Sequence, residues 1–202
     1  MPVMSRFEAA WCRSAPWRVL ARRVVLPWAL QGHRPSGHVL EIGAGSGAMA
    51  AELLATHPEI TMTVTDVDPM MVDAASARLR PFGERATIQV ADATSLPFPD
   101  ASFDAAVSWI MLHHTVEWEK ALAEAVRVVS PGGEVVGYDL LSTAPLRLLH
   151  QAERARFRMI RFDELRDAVS TLPVEQAVLT PSLAGLAVRF LLRTRAPGDA
   201  TR

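Results

Sequence analysis

A glycine-rich turn directly after a short apolar run constrains this chain more than any other feature. The run is His38-Val-Leu-Glu-Ile42, and it leads into Gly43-Ala-Gly-Ser-Gly47, where every second residue lacks a side chain. Glycine accepts positive φ angles and allows close approach to the backbone. Unpaired amide groups at the start of a following helix can face a bound ligand. The segment therefore predicts a strand, a tight turn and a helix that together form a binding site.

The residues after this turn alternate between strand and helix patterns. We expect strands over 38–42, 61–65, 87–90, 103–109 and 134–138, and helices over 48–56, 69–79, 117–129, 147–158 and 163–172. Ser130-Pro-Gly-Gly133 is expected to form a turn before the fifth strand. Helices of this length between strands are typical of right-handed crossovers, which build a parallel sheet with helices on both faces.

The two ends of the chain depart from this alternation. Residues 1–34 have apolar side chains at helical spacing, with Pro16 and Pro27 as expected breaks. At the other end, β-rich runs at 174–180 and 187–193 are joined by a connection too short for a crossover helix, so these strands should be antiparallel. The predicted fold class is thus α/β, with a doubly wound, mostly parallel sheet of seven strands and a C-terminal antiparallel strand pair.

Composition excludes several classes of protein. The chain has 202 residues, of which 50% are apolar, and a net charge of -1, which fits one folded domain rather than a disordered chain or a general nucleic-acid binder. Its single cysteine, Cys12, excludes an internal disulfide and a thiolate metal cluster. No segment has the pattern of a membrane span or a signal peptide. We expect a cytoplasmic protein without a metal, a nucleic-acid partner or stable membrane insertion.

An acidic residue ends the second expected strand. Asp66 follows the last glycine of the turn by 19 residues, and a carboxylate there can accept hydrogen bonds from two adjacent ribose hydroxyls. The pattern Gly43-x-Gly45-x-x-Ala48 also satisfies a loose dinucleotide fingerprint, so NAD is one candidate ligand. Glu41 favours a different nucleoside ligand, because its carboxylate can orient the turn or a ligand ammonium.

Taken together, the motifs resemble those of class I S-adenosylmethionine (SAM)-dependent methyltransferases, particularly the type 11 small-molecule group. The residues that carry the resemblance are Glu41-Ile-Gly-Ala-Gly-Ser-Gly47, Thr65-Asp-Val-Asp-Pro-Met-Met71, Ala91-Asp-Ala93, 108–114 and Ser130-Pro-Gly-Gly133. The resemblance covers about residues 37–138, and it implies a Rossmann-like fold. We expect an N-terminal helical lid over 1–36, which includes Phe7, Trp11, Trp17 and Trp28, a methyltransferase domain over 37–195, and a tail over 196–202.

The resemblance implies a cofactor site at the carboxyl edge of the sheet. The glycine turn would lie under the methionine part of SAM, Asp66 would hold the ribose, and Asp92 would meet the adenine edge. Trp109 either faces the sulfonium through a cation–π contact or packs in the core. The candidate cofactor-binding residues are Glu41, Gly43, Ala44, Gly45, Gly47, Asp66, Val67, Met71, Asp92, Ala93, Ser108 and Trp109.

Three side chains are candidate general bases on the acceptor side. His113 and His114 lie just beyond the fourth strand, and a histidine pKa near neutrality suits proton removal. Asp139 ends the fifth strand and is the other candidate. Each has a structural alternative, since the histidine pair could pack the loop and Asp139 could cap a helix or a loop.

The resemblance therefore implies transfer of a methyl group from SAM to a small organic acceptor, by in-line displacement in a desolvated pocket, with S-adenosylhomocysteine as the product. An NAD(P)-dependent oxidoreductase and a non-catalytic SAM-binding module are the alternatives. Enzymes that methylate nucleic-acid amines carry an Asn- or Asp-Pro-Pro-aromatic motif where this chain has Ser108-Trp-Ile-Met111, which argues against a base amine as acceptor. Whether the chain forms a homodimer is left open.

Overall fold

One mixed sheet of seven strands organises the part of the chain that the computed structural model describes, which is residues 19–143 and 158–196. The strands lie in the order β3-β2-β1-β4-β5-β7-β6. All neighbours are parallel except β7, which is antiparallel to both β5 and β6, as the short connection predicted. The strands are β1 (His38–Ile42), β2 (Thr61–Asp66), β3 (Ala86–Val90), β4 (Phe103–Trp109), β5 (Val129–Leu140), β6 (Val174–Ser182) and β7 (Ala187–Thr194).

Helices cover both faces of this sheet. They are α1 (Leu26–Leu30), α2 (Ala48–Thr56), α3 (Pro69–Leu79), α4 (Trp118–Val128) and α5 (Phe162–Ser170), with 3-10 turns at Arg80–Arg85, Leu112–His114 and Leu183–Gly185. One hydrophobic cluster joins α4 and α5 to the sheet, and a second joins α1, α2 and α3 to it. Successive residues of β1 alternate between the two clusters, Val39 in one and Leu40 in the other. The α/β architecture and the predicted C-terminal pair are therefore confirmed.

The predicted break at Pro27 is wrong. A π-helical segment over Ala21–Val25 continues directly into α1, and Pro27 occupies the first turn of that helix. A proline lacks the N–H group and crowds the carbonyl four residues earlier, and the π-helical segment lies in the turn where these two conflicts fall. Leu26, Ala29 and Leu30 are buried in the core, whereas Val19, Leu20 and Val24 are exposed. The C-terminal part of the expected lid segment thus packs against the sheet.

The expected turn at Ser130-Pro-Gly-Gly133 is part of β5. Val129 pairs with Phe103 and Glu134 pairs with Ala105, so these four residues bulge opposite Asp104 alone. Gly132 has a φ of 81°, and a Cβ on Gly133 would come within 2.4 Å of the Asp104 carbonyl oxygen. The strand therefore starts earlier than the sequence suggested, because a bulge interrupts its pairing without ending it.

Several expectations concern residues outside the described ranges. These are the side chains of Phe7, Trp11, Cys12 and Trp17, the helix expected over 147–158 except its last residue, Arg158, which is not helical, and all but the first residue of the tail. Within the described ranges, no helix combines the length and apolar character needed to cross a membrane. The same residues contain no group of three or more His, Cys, Asp or Glu side chains that could hold a metal ion.

Candidate functional site

The glycine turn is tied to the neighbouring strand by two hydrogen bonds. Gly43, Gly45 and Gly47 have φ angles of 68°, 54° and 71°, so all three need the conformational freedom of glycine. The N–H of Gly45 donates to Asp66 Oδ2 at 2.8 Å, and the N–H of Ala44 donates to the Thr65 carbonyl at 2.9 Å. The turn and the end of β2 therefore form one rigid unit at the carboxyl edge of the sheet.

Protein atoms fill the space where two of these glycines would carry a side chain. A Cβ on Gly43 would lie 2.0 Å from Met111 Cγ, and a Cβ on Gly47 would lie 3.1 Å from the Ala75 Cβ. Close packing against Met111 therefore excludes a side chain at Gly43, and α3 leaves little room for one at Gly47, whether or not a ligand is bound. Sequence reasoning missed Met111, since nothing in its local pattern indicates contact with a turn far earlier in the chain.

The Asp66 carboxylate faces the site and also accepts hydrogen bonds from the backbone. Besides the bond from Gly45, its Oδ1 accepts from the N–H of Asp68 at 2.9 Å. Asp68 in turn caps α3 by accepting from the N–H of Met70 at 2.9 Å, as its position before Pro69 predicted. Burial raises the pKa of the Asp66 carboxyl, although the two N–H donors act in the opposite direction. Each carboxylate oxygen has a further lone pair, so the side chain can still accept hydrogen bonds from a ligand.

Glu41 is a buried carboxyl without a full set of partners. Its side chain lies inside β1, 1% exposed, and its Oε2 has no hydrogen-bond partner among the described residues. Burial, reinforced by the nearby Asp66 charge, raises the pKa of Glu41 to about 8. A buried polar atom without a partner is costly unless something else satisfies it. Glu41 can therefore accept a hydrogen bond from a ligand, or bind a cationic group of a ligand, at the glycine turn.

The adenine-side candidates lie on the strand ends next to Asp66. Ala91 N–H donates to the Asp66 carbonyl at 3.0 Å, which places the segment after β3 beside the end of β2. Ala93 is buried, whereas Asp92 is exposed and its Oδ1 accepts from the N–H and the hydroxyl of Thr94, both at 2.8 Å. Val67 and Met71 are half-buried around the start of α3.

Ser108 and Trp109 lie at the end of β4, next to the glycine turn. Ser108 pairs with Ile42, the residue before Gly43. The Ser108 hydroxyl and the Trp109 Nε1 are buried, and neither has a hydrogen-bond partner among the described residues. The Trp109 ring packs 5.8 Å from the Tyr138 ring, within the hydrophobic cluster on that face. Trp109 is therefore packed in the core and also carries an unsatisfied donor.

The three candidate bases form one cluster with unequal roles. Asp139 is fully buried, and its carboxylate accepts from the N–H groups of Leu112 and Leu140 and from His113 Nδ1, at 2.7, 2.6 and 2.5 Å. Asp139 thus caps the 3-10 turn and orients His113, which is 1% exposed. The His114 ring is half-buried, and its centroid lies 4.0 Å from that of His113 with the two ring planes tilted by 39°. His114 is therefore the member of the cluster that a bound acceptor could reach.

Comparisons with known proteins show which family this chain resembles. Residues 39–133 match the model of a family described as a methyltransferase domain. A demethylmenaquinone methyltransferase of Clavibacter sepedonicus is 36% identical over 67% of this chain and 51% of its own length. A 27-O-demethylrifamycin SV methyltransferase of Amycolatopsis mediterranei is 34% identical over 61% of this chain and 46% of its own length. The chain thus spans about half the length of these curated relatives.

The fold also matches solved structures at lower sequence identity. The [4+2]-cyclase SpnF superposes with a TM-score of 0.71 and 19% identity, covering 91% of this chain and 84% of SpnF. This similarity concerns the fold alone, and the name of that protein illustrates that one fold can support different chemistry.

Proposed function

Because this chain belongs to the class I SAM-dependent methyltransferases, we propose that it transfers a methyl group from SAM to a small organic acceptor. The relatives named above support a small-molecule acceptor, since their names specify a menaquinone precursor and a rifamycin. The chain covers about half of each relative, so the activity and the acceptor are inferences for this protein. The family match disfavours the nicotinamide-dependent alternative, whose fingerprint was satisfied only loosely.

One observation carries the proposal: a positive-φ glycine turn bonded to Asp66, with a partly unsatisfied Glu41 behind it. We place the methionine part of SAM over this turn, with its ammonium near Glu41 and its ribose hydroxyls on Asp66. The adenine would lie among the half-buried side chains of Val67 and Met71, with its edge toward Asp92 and Ala93. Ser108 and Trp109 would face the sulfonium side.

The chemistry requires positioning more than it requires reactive groups. SAM supplies an activated methyl on a positively charged sulfur, and the acceptor's electron pair forms a bond to that carbon as the carbon–sulfur bond breaks. The protein then has to hold the acceptor about 3 Å from the methyl and in line with the sulfur. Exclusion of water by the buried walls of the site strengthens the electrostatic interactions within it.

A proton acceptor is needed only where the attacking group keeps its proton at neutral pH. We assign this role to His114, because its ring is half-buried beside the end of β4. His113 is buried and bonded to Asp139, so we treat both as residues that position the loop and its neighbour.

Ligand titration tests the cofactor assignment. We expect SAM and S-adenosylhomocysteine to bind in a calorimetric titration, whereas micromolar binding of NAD alone would support the oxidoreductase alternative. Asp66→Ala should weaken SAM binding by about 2 kcal/mol or more, because a charged acceptor of ribose hydrogen bonds is lost. Asp68→Ala is the matched control: it removes the α3 cap but leaves the Asp66 contact with Gly45. Equal affinity losses in both variants would contradict the ribose assignment.

Turnover separates the enzyme from a non-catalytic SAM-binding module. Incubation of the protein and SAM with a metabolite extract should produce a compound heavier by one methylene, detected by mass spectrometry. Binding of SAM without any such product would favour the module.

A further inference from the structure

Two segments that are far apart in the chain meet on the side of the sheet covered by α1. Residues 19–34 include α1, and residues 176–195 include most of β6 and all of β7. The Arg189 guanidinium lies 5.3 Å from the Trp28 ring centroid, and its Nη1 donates to the Trp28 carbonyl at 2.9 Å. We call the exposed surface of these two segments the basic face.

The basic face contains no acidic residue, although the chain as a whole has 22 Asp and Glu against 21 Lys and Arg. Its arginines are Arg22, Arg23, Arg34, Arg189, Arg193 and Arg195. Arg22 lies 3.9 Å from Glu52 of α2, and Arg193 pairs with Glu134 of β5 at 2.6 Å. The other four arginines form no ion pair within the part of the chain that the structure describes. This surface is therefore positively charged in a nearly neutral protein.

Most of the exposed large apolar side chains also lie on the basic face. Six of the nine among the described residues belong to it: Val19, Leu20, Val24, Val178, Leu183 and Leu186. Leu183 is 62% exposed and Val19 is 56% exposed. Single exposed apolar residues are ordinary, but a concentration of them on one surface is typical of a binding site for another apolar surface.

These apolar side chains share one side of the domain. Val178 pairs with Leu191, whose side chain lies in the hydrophobic cluster beneath α1, so Val178 points to the α1 side. Going back along the chain from the contact between α1 and β7, Val24 lies one helical turn before Trp28 and Leu186 lies just before β7. The Leu186 carbonyl accepts from the N–H of Leu141, just after β5. The basic face thus extends to the carboxyl edge of the sheet.

Neither of two simpler partners balances this charge. A symmetric interface with a second copy would bring arginines against arginines. Residues 1–18 contain Arg6, Arg13 and Arg18 but a single acidic residue, Glu8, so this segment adds positive charge. The partner has to combine negative charge with an apolar phase.

We propose that the basic face binds the surface of a membrane that contains anionic lipids. Apolar side chains can enter the boundary between headgroups and acyl chains while arginines contact the lipid phosphates. Each arginine near such a surface adds attraction, and the effect falls with salt. This mode of binding needs no spanning segment, and the inference is independent of the proposed function.

Vesicle co-sedimentation tests the proposal with the full chain. The two probes are vesicles of pure phosphatidylcholine and vesicles of an equal mixture of phosphatidylcholine and phosphatidylglycerol. We expect binding to the mixed vesicles at least about tenfold tighter than to the neutral ones at about 0.1 M salt, since the arginines are attracted to anionic lipid. Raising the salt to about 0.5 M should release most of the protein.

Paired variants locate the binding surface. Arg22→Gln with Arg23→Gln should weaken binding to the mixed vesicles about tenfold or more. Arg161→Gln with Arg166→Gln is the matched control, because it removes the same charge at α5, which packs on the other face of the sheet. This control should bind like the wild type.

A second pair tests the apolar contribution. Val24→Ser with Leu183→Ser should weaken binding to the mixed vesicles about tenfold, because two apolar side chains no longer enter the bilayer. Met70→Ser with Val90→Ser is the matched control, since both side chains are exposed but lie outside the basic face. Thermal unfolding of each variant checks that it is folded.

Three results would overturn the proposal. The first is equal binding of the wild type to both kinds of vesicle, or binding to neither. The second is a loss of binding in the control pairs as large as in the basic-face pairs. The third is self-association in sedimentation velocity that the Val24 and Leu183 substitutions abolish, without vesicle binding, which would assign the face to a second copy. Should a basic-face pair fail to fold, the comparison of the two vesicles by the wild type decides the question.

Discussion

At the scale of single residues, the site depends on two carboxyl groups that the fold shields from water, Glu41 fully and Asp66 in part. The cost of burying the Asp66 carboxyl is partly compensated by hydrogen bonds from the N–H groups of Gly45 and Asp68. The cost of burying Glu41 is compensated less. The pKa of about 8 means that Glu41 is mostly protonated at neutral pH in the ligand-free protein. A ligand ammonium close to Glu41 would lower this pKa, because a nearby positive charge favours the ionised carboxylate.

Glu41→Gln should change how stability depends on pH. The folded state of the wild-type protein retains a proton that the unfolded state loses above the ordinary glutamate pKa of 4.5. The contribution of Glu41 is therefore fully present below pH 4.5 and is lost as the pH rises toward 8, by up to about 1.4 kcal/mol per pH unit. The variant should lack this decline, as urea unfolding at four pH values between these limits would show. Parallel pH profiles for the two proteins would contradict the assignment.

Substitution of the two histidines should have different consequences. His114→Ala should lower product formation by about a hundredfold or more if the ring removes a proton, with little change in affinity for S-adenosylhomocysteine. His113→Ala should instead lower the unfolding temperature, because it removes the imidazole partner of the buried Asp139 carboxylate. Initial rates and thermal unfolding curves of both variants provide the measurement. Equal loss of turnover and cofactor affinity in His114→Ala would mark that residue as structural.

At the scale of elements, the loop after β4 and the glycine turn after β1 hold each other in place. Met111 packs against the bare Cα of Gly43, and the preceding Ile110 has a φ of 51°. Positive φ at a β-branched residue is strained, and such strain often accompanies functional sites. The N–H of Ile110 donates to the Tyr138 carbonyl at 2.9 Å, so β5 supports this conformation.

A double-mutant cycle should reveal the contact between these two elements. Gly43→Ala should destabilise the protein by about 2–4 kcal/mol, since it adds a Cβ at positive φ and against Met111. In a Met111→Ala background the same substitution should cost at least about 1 kcal/mol less, because the closest clash, with Met111 Cγ at 2.0 Å, is removed and only the contact with the Cβ at 2.9 Å remains. Denaturant unfolding of the wild type, the two single variants and the double variant gives the four free energies of unfolding. Additive effects would show that the two side chains do not compete for this space.

Most strands and helices could be predicted because the sequence patterns that specify them are local. The expected strands and helices over 38–109 agree with the observed ones to within one residue, and α4 buries Trp118, Ala121, Leu122, Ala125 and Val126 at the expected helical spacing. The errors occurred where packing overrides local signals. The bulge in β5 depends on the opposing Asp104, and the passage of a helix through Pro27 depends on a π-helical segment that local rules do not anticipate.

At the scale of the whole molecule, the site lies where strands from distant parts of the chain end together. The strand order reverses direction at β1 and β4, and an open α/β sheet binds its ligands at such a point. Both hydrophobic clusters contact this region, one through Met111 and Leu112 and the other through Trp109 and Tyr138. A ligand bound there should therefore stabilise the entire domain.

Cofactor binding should raise the unfolding temperature. At a concentration of S-adenosylhomocysteine one hundred times its dissociation constant, linkage contributes about 2.7 kcal/mol. For a domain of this size that free energy corresponds to roughly 5–10 °C. Differential scanning calorimetry with S-adenosylhomocysteine, and with NAD as the comparison ligand, would measure the shift. An equal shift with NAD would count against the cofactor assignment.

The sequence by itself determined the alternation of strands and helices, the positive-φ glycine turn, the Asp68 cap and the antiparallel C-terminal pair. Each depends on residues close together in the chain, whose spacing and backbone preferences act before any long-range contact forms. Only the tertiary structure decided that Asp66 bonds to Gly45, that Asp139 holds His113, and that Arg189 of β7 contacts Trp28 of α1. These contacts join residues from different strands and helices, so they depend on sheet register and on the packing of helices against the sheet. A shift of one residue in register would turn such side chains to the opposite face.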